Sequence, residues 1–385
     1  MLRWLAPFVA LSCLASCTLP EGGPSRSQID SAAKPTASGA TRFALIDLDP
    51  RIVETMQGWN IVSLQGTFGT QRPANVQTIG IGDSIQIVLW EAAAGGLFSA
   101  PVSDRVSPGS RSAVIPEQVV GADGAVTVPY AGRVPVAGRS PREVEATIVE
   151  ALKTKAIEPQ ALVTVTKNVA NTVSVLGEVT SGARIPLTTK GDRVLDVIAT
   201  AGGTRAAAHD IFITLMRQGR SVRVPMQAIL VDPKENIYAM PGDVIAVSRD
   251  VQTYTAIGAT GRNDVLPFDA VGITLEQAIG RAGGLNDQRA DLSGVFVVRN
   301  ELAPNYDQFG LVRPSLGASA EVPVIYRLDM RDPMSFFLAR RFQMHNKDIL
   351  FVSNASATDL QKVMTILLPF LGVSGTAVAV TAATR

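Results

Sequence analysis

The chain has 385 residues, 46% of them hydrophobic and 5% aromatic, with 35 Lys and Arg set against 34 Asp and Glu. That balance leaves no basic footprint for nucleic acid, and a chain of this length suits two or three domains. Two cysteines and two widely separated histidines, His209 and His345, give neither a disulfide framework nor a metal or nucleophile motif, so no cofactor, metal ligand or catalytic residue is expected.

The N-terminus predicts export. Arg3 is the single charge before Cys17, and Leu5 to Leu14 is a short, mostly apolar stretch broken by Pro7. A basic start, an apolar centre and small residues before a cut make a secretory signal. The stretch is too short for a spanning helix, which needs about 20 apolar residues. Leu14-Ala15-Ser16-Cys17 resembles a bacterial lipobox. The resemblance implies cleavage before Cys17, a diacylglycerol thioether on its sulfur and acylation of the new N-terminus. Thr18 in the next position resembles the outer-membrane sorting class. The plainer alternative is an ordinary signal peptide that happens to contain Cys17.

Residues 18 to about 40, with Pro20, Gly22, Gly23, Pro24 and Pro35, predict a flexible tether. Residues 41–75 mix short apolar runs with Gly58, Gly66 and Gly69 and predict partial order. Gly82-Asp83 then predicts a turn leading into an apolar strand that ends at Trp90. Met240-Pro241-Gly242-Asp243 and His345-Asn346-Lys347-Asp348 echo it, each with Asp just ahead of an apolar strand. Aspartate favours tight turns because its carboxylate accepts nearby backbone N–H groups. A catalytic role would instead need these carboxylates to converge in one pocket. Asp123-Gly124 predicts a further turn before alternating strand residues. Ser140-Pro141-Arg142-Glu143 predicts a capping box opening a helix to about Lys155, with Val144, Ile148, Ala151 and Leu152 buried. Ala161 to Lys167 predicts the closing strand.

A longer repeat follows. Val173 to Val179 matches Tyr254 to Thr260, and Val194 to Gly203 matches Leu275 to Gly284. Gly177 to Gly258 and Gly202 to Gly283 share one offset, so the register holds through the unit. Each unit predicts strand, turn, strand, then a short helix with apolar spacing at Val194, Val197, Ile198 and Ala201. Gly202-Gly203 supplies a left-handed C-terminal cap. A phosphate loop would precede its helix, and these glycines follow theirs. Further strands, Ile211 to Met216 and Val295 to Arg299, complete the units. A helix laid on a small mixed sheet is an α+β architecture.

Gly80-Ile81-Gly82-Asp83 with its strand, the block from Val128 to Gly138, and Pro159 to Val165 resemble the polysaccharide export domain. The two Gly-Gly units resemble the soluble-ligand-binding β-grasp (SLBB) repeats that follow it. With the lipobox and an apolar tail, the chain is similar to outer-membrane polysaccharide export lipoproteins, the translocons for capsule and exopolysaccharide. The expected organisation is a signal peptide over 1–16 and a lipidated N-terminus, tether and partly ordered segment over 17–75. The export domain follows over 76–170, then β-grasp repeats over 171–250 and 251–356, the second with an insertion at 301–322. A C-terminal membrane-spanning helix occupies 357–385. The resemblance implies a homo-oligomer, typically an octamer, whose last helices form an α-helical barrel through the outer membrane. It places most of the chain in the periplasm and the C-terminus outside. It also implies a polysaccharide substrate and inner-membrane partners, a co-polymerase or adaptor and a transporter, that supply the energy.

No charge separates Lys362 from Arg385. On a helix, Leu360, Val363, Leu367, Phe370, Leu371 and Val378 gather on one face. Thr358, Gln361, Thr365, Gly372 and Thr376 lie on the other. In a ring, Thr365, Gly372 and Thr376 would line water. Pro369 would kink the helix and free the Thr365 carbonyl, which is tolerable where it faces water. The tail lacks the Trp and Tyr expected at a membrane interface. The pattern by itself leaves open a single anchor, or a helix packed on the body. Two other function classes stand beside the conduit: a periplasmic glycan-binding or anchoring lipoprotein without a pore, and a glycan hydrolase, for which no motif is present.

Overall fold

The computed structural model describes residues 23–35, 41–59, 62–72, 78–91, 97, 112–314 and 320–355. Cys17 and the segment 357–385, with Thr365, Pro369, Gly372 and Thr376, lie outside the described residues. Among the described residues no helix is long and apolar enough to cross a membrane. The chain divides into two compact units: Val62–Asp250, and a second built from the segments on either side of it.

In the first unit, Ser84–Trp90 is the centre of a three-stranded antiparallel sheet between Ser112–Val119 and Gln160–Lys167. Its side chains alternate, as a period of two dictates, and Ile85, Ile87 and Leu89 turn inward and are buried. They join Val144, Ile148 and Leu152 of the helix Pro141–Leu152 and Val126, Val128 and Val134 of a small hairpin in one core. The capping box is present. Ser140 Oγ accepts the Glu143 N–H, and Glu143 Oε2 accepts the Ser140 N–H at 2.7 Å. That backbone bond and the Ser140 hydroxyl hold the Glu143 carboxyl below its ordinary range.

The two repeats share one strand order. In the first it runs Arg220–Pro225, Ile211–Arg217, Val244–Arg249, Thr172–Gly177, Ala183–Pro186. In the second it runs Glu321–Leu328, Ala290–Leu302, Ile349–Asn354, Gln252–Gly258, Asp264–Phe268. Val244–Arg249 runs parallel to Thr172–Gly177, and Ile349–Asn354 runs parallel to Gln252–Gly258. The remaining neighbours within these ten strands are antiparallel. Gly177 and Gly258, at φ 99° and 95°, sit where the parallel partners come closest. A Cβ at either would run into the carbonyl oxygen of Val247 or Val352, so only glycine fits. The helices Val194–Thr200 and Leu275–Arg281 each end in a left-handed Gly-Gly pair.

The N-terminal segments contribute more than a tether and partial order. Arg26–Ala32 is a helix, capped by Ser25 and Gln28, with Ile29 buried against Phe296 and Phe351. Ala44–Asp47 adds a sixth strand to the second repeat, parallel to Glu321–Leu328. Val53 of Pro50–Gln57 enters the same repeat's main core. Leu64 is fully buried in the core of the first repeat. Pieces of four to eight residues are too short for periodicity to reveal them. The described part of the 301–322 insertion also reaches the core. It holds the short helix Ala303–Asp307 with Tyr306 buried, and Phe309 lies 4.8 Å from the Trp59 ring.

Tyr254 is fully buried, and its hydroxyl donates to the Ala278 carbonyl at 2.7 Å. Burial pushes this phenol up to about 12, and it raises Tyr326 as well. An unfolded tyrosine ionises near about 10. The raised value means that its stabilising contribution is complete below about pH 10 and is lost as pH rises through about 12. In an alkaline titration followed by tyrosinate absorbance and circular dichroism, Tyr254 should ionise together with unfolding of the second repeat. In the Tyr254→Phe variant the alkaline transition should move to higher pH.

Candidate functional site

The three aspartates that precede strands each close a turn of their own, and each is 1% exposed. Asp83 Oδ2 accepts the Gly80 N–H at 2.8 Å, and its Oδ1 accepts those of Val169 and Ala170 at 2.7 and 2.8 Å. Asp243 accepts the Met240 N–H at 2.8 Å, and Asp348 accepts the His345 N–H at 2.7 Å. In all three the partner lies three residues earlier, which is the turn geometry expected of aspartate here. Each carboxylate is buried and meets donors on both oxygens, and the three sit in three separate turns.

The repeats add a guanidinium that sequence reasoning missed. Arg217 forks onto Asp243 through Nε at 2.9 Å and Nη2 at 2.7 Å, and also donates to the Tyr238 carbonyl. Arg299 forks onto Asp348 at 2.8 and 2.6 Å and donates to the Gln343 carbonyl. Arg299 is the deeper of the two. Its Nη1 also meets Glu301 at 3.1 Å, and the Tyr326 hydroxyl donates to the same carboxylate. Burial works to lower the Arg299 pKa, but Asp348 and Glu301 carry it above its ordinary value. The repeat itself held the missed signal. Leu215-Met216-Arg217 and Val297-Val298-Arg299 end matching apolar runs with the same residue.

His209 lies beside Asp210 at 3.7 Å on the surface. Among the described residues no group of three or more His, Cys, Asp or Glu could hold a metal ion. A polar groove of about 620 Å³ runs between the three-stranded sheet and the first repeat, lined in part by Thr78, Arg142, Thr164, Asn168, Asn171 and Thr189. The Asn171 amide donates to the Thr78 carbonyl at 2.9 Å, which ties the two sides together. Hydroxyls, amides and one guanidinium suit weak, exchangeable bonds to a hydrated chain. Among the described residues no aromatic ring lines this groove to stack a sugar.

Comparison with known proteins gives three family matches along the chain. The family described as polysaccharide biosynthesis/export protein matches residues 71–166, and the SLBB domain family matches 172–229 and 252–352. The chain is 36% identical over 358 residues to the capsule polysaccharide export outer membrane protein CtrA of Neisseria meningitidis, covering 92% of each. It is 32% identical over 374 residues to the capsule polysaccharide export protein BexD of Haemophilus influenzae, covering 95% of this chain and 94% of the relative. To the Vi polysaccharide export protein VexA/TviF of Salmonella typhi it is 29% identical over 247 residues, covering 64% and 66%.

Removing one partner of a buried ion pair strands the other charge, which typically costs about 3–5 kcal/mol, whereas an exposed pair contributes about 0–1 kcal/mol. Arg299→Ala should therefore destabilise the chain by several kcal/mol in urea unfolding. Arg223→Ala, which breaks an exposed pair with Asp250, should lower stability by less than about 1 kcal/mol. Similar losses in the two variants would mean that the turn does not depend on its arginine.

Proposed function

The chain belongs to the outer-membrane polysaccharide export family, and we propose that it works there as a lipid-anchored, oligomeric conduit. Its function is the export of capsular or extracellular polysaccharide to the cell surface. The observation that carries this is 36% and 32% identity, over 92% and 95% of the chain, to two capsule polysaccharide export proteins. The remaining features are our reading. Cys17 carries the lipid. Copies of the chain close into a ring, probed first as an octamer. In it the segment 357–385 forms a barrel of helices, with Thr365, Gly372 and Thr376 toward water and Pro369 at a kink.

Several physical points support the reading. Two or more acyl chains anchor firmly, at about 0.8 kcal/mol per buried methylene. A lone helix with hydroxyls on one side is poorly matched to lipid, but in a ring that side meets water and small residues let neighbours approach. Hydroxyls without fixed charge let a hydrated glycan slide rather than bind. Both ends of the described chain also leave one corner of the second repeat. Gly23 lies against the Phe351 ring, and Arg26 donates to Ser293 at 2.7 Å. Beside it, Ser353 donates to the Gly294 carbonyl, two residues before Ala355. An anchor and a tail that start together can enter one membrane together. No chemistry on the glycan is required, and the energy comes from the inner-membrane co-polymerase or adaptor and transporter.

The polar groove in the first unit favours a second reading, a periplasmic glycan-binding lipoprotein without a pore. Two measurements separate them. Deleting the gene should abolish surface polymer while polymer accumulates inside the cell envelope; loss of both pools would point to synthesis instead. An epitope tag after Arg385 should be reachable by antibody on intact cells. A tag detected only after the outer membrane is permeabilised would remove the conduit.

A further inference from the structure

The six-stranded sheet has a second face, turned away from its main core. Ile325, Val298 and Ile349 stand in register across three neighbouring strands of it, with Ile257 on the next. A sheet face left to water alternates toward polar residues, yet these four positions are aliphatic. The helix Arg26–Ala32 covers part of the face through Ile29. Beside it remains an apolar groove of about 560 Å³. Among the described residues the one polar side chain on the groove wall, Gln28, is engaged in the helix cap, where its Oε1 accepts the Ser25 N–H at 2.7 Å. Such a groove offers little to a sugar, a phosphate or a charged peptide. It suits hydrocarbon.

Its position names the hydrocarbon. Gly23 and Pro24 form part of the groove wall. Cys17 lies six residues before Gly23, and six extended residues reach about 20 Å. We propose that one acyl chain of the Cys17 lipid lies in this groove. The inference rests on the acylated Cys17 proposed for this chain. Three acyl chains are implied at that residue, so one in the groove leaves two for the bilayer, the number needed for stable anchoring. The chain would then be held at both ends of the lipid. The second repeat would be drawn against the membrane surface rather than hung below it on a slack tether.

The test uses the full-length protein made and exported by intact cells, with photoreactive benzoylphenylalanine in place of Val298 or, separately, Ile325. Illumination should join the probe to the acylated peptide that begins at Cys17, identified by mass spectrometry. An adduct with free phospholipid, with the segment 357–385 or with a second copy overturns the proposal, as does no adduct. The mass of the N-terminal peptide is measured in the same sample. An unmodified Cys17 would sink the lipid anchor as well, whereas an acylated Cys17 without an adduct sinks only the groove. A second measurement leaves the groove untouched. Hydrogen exchange at Arg26–Ala32 should be at least several-fold faster in a Cys17→Ser protein exported through an ordinary signal peptide than in the acylated protein. Equal exchange contradicts the proposal.

Discussion

An aspartate taken out of water and met by donors on both oxygens holds each sheet to its turn. The carboxylate of Asp83, Asp243 or Asp348 accepts the N–H three residues earlier. The backbone of the same residue then reaches the neighbouring strand. The Asp243 carbonyl accepts from Ser174 at 3.0 Å, the Asp348 carbonyl from Thr255 at 2.9 Å, and the Asp83 carbonyl from Val120 at 2.9 Å. One residue thus closes the turn and sets the register of the strand pair beside it. A slip of one residue would turn Ile245 and Val247, or Leu350 and Val352, out of their cores. A buried ion pair adds little net stability against an apolar substitute. Its effect here is on register, since a misplaced strand would leave a buried carboxylate without its arginine.

The repeats are completed by chain that lies far away in sequence. Ala44–Asp47 extends the second sheet, and Arg327 grips both Asp47 and Asp30. Leu64 fills the first repeat's core, where Glu235 accepts its N–H at 2.7 Å. The described residues that precede the export domain are therefore folded into the two repeats.

Much of this was legible in the sequence because it rests on local chemistry. The Ser140–Glu143 box, the Gly-Gly helix ends and the aspartate turns depend on residues a few positions apart, and all three stand in the structure. The repeat offset revealed the common unit, while the strand order the two units share is seen only in the structure. Long-range partners were not legible. Nothing near Arg299 in sequence names Asp348, and nothing near Ala44 names Val324. The helix Arg26–Ala32 sits among Pro, Gly and Ser, and it is settled by burying one residue, Ile29, on a surface assembled from distant strands. The sequence marks 301–322 only as an insertion, and its aromatic residues Tyr306 and Phe309 pack in the core cluster. For the site, the family was readable from the motifs, while Cys17 and the tail positions stand on pattern and resemblance.

The proposed conduit requires many copies. A polar stripe on one helix becomes the wall of a water-filled passage only when like helices enclose it, and a single chain has no way to shield a glycan from lipid. Native mass spectrometry of the protein extracted from outer membranes in mild detergent addresses this directly. A closed oligomer of one defined stoichiometry, eight copies by family resemblance, is the expected result. A population of single chains, retained across detergents and concentrations, would contradict the conduit.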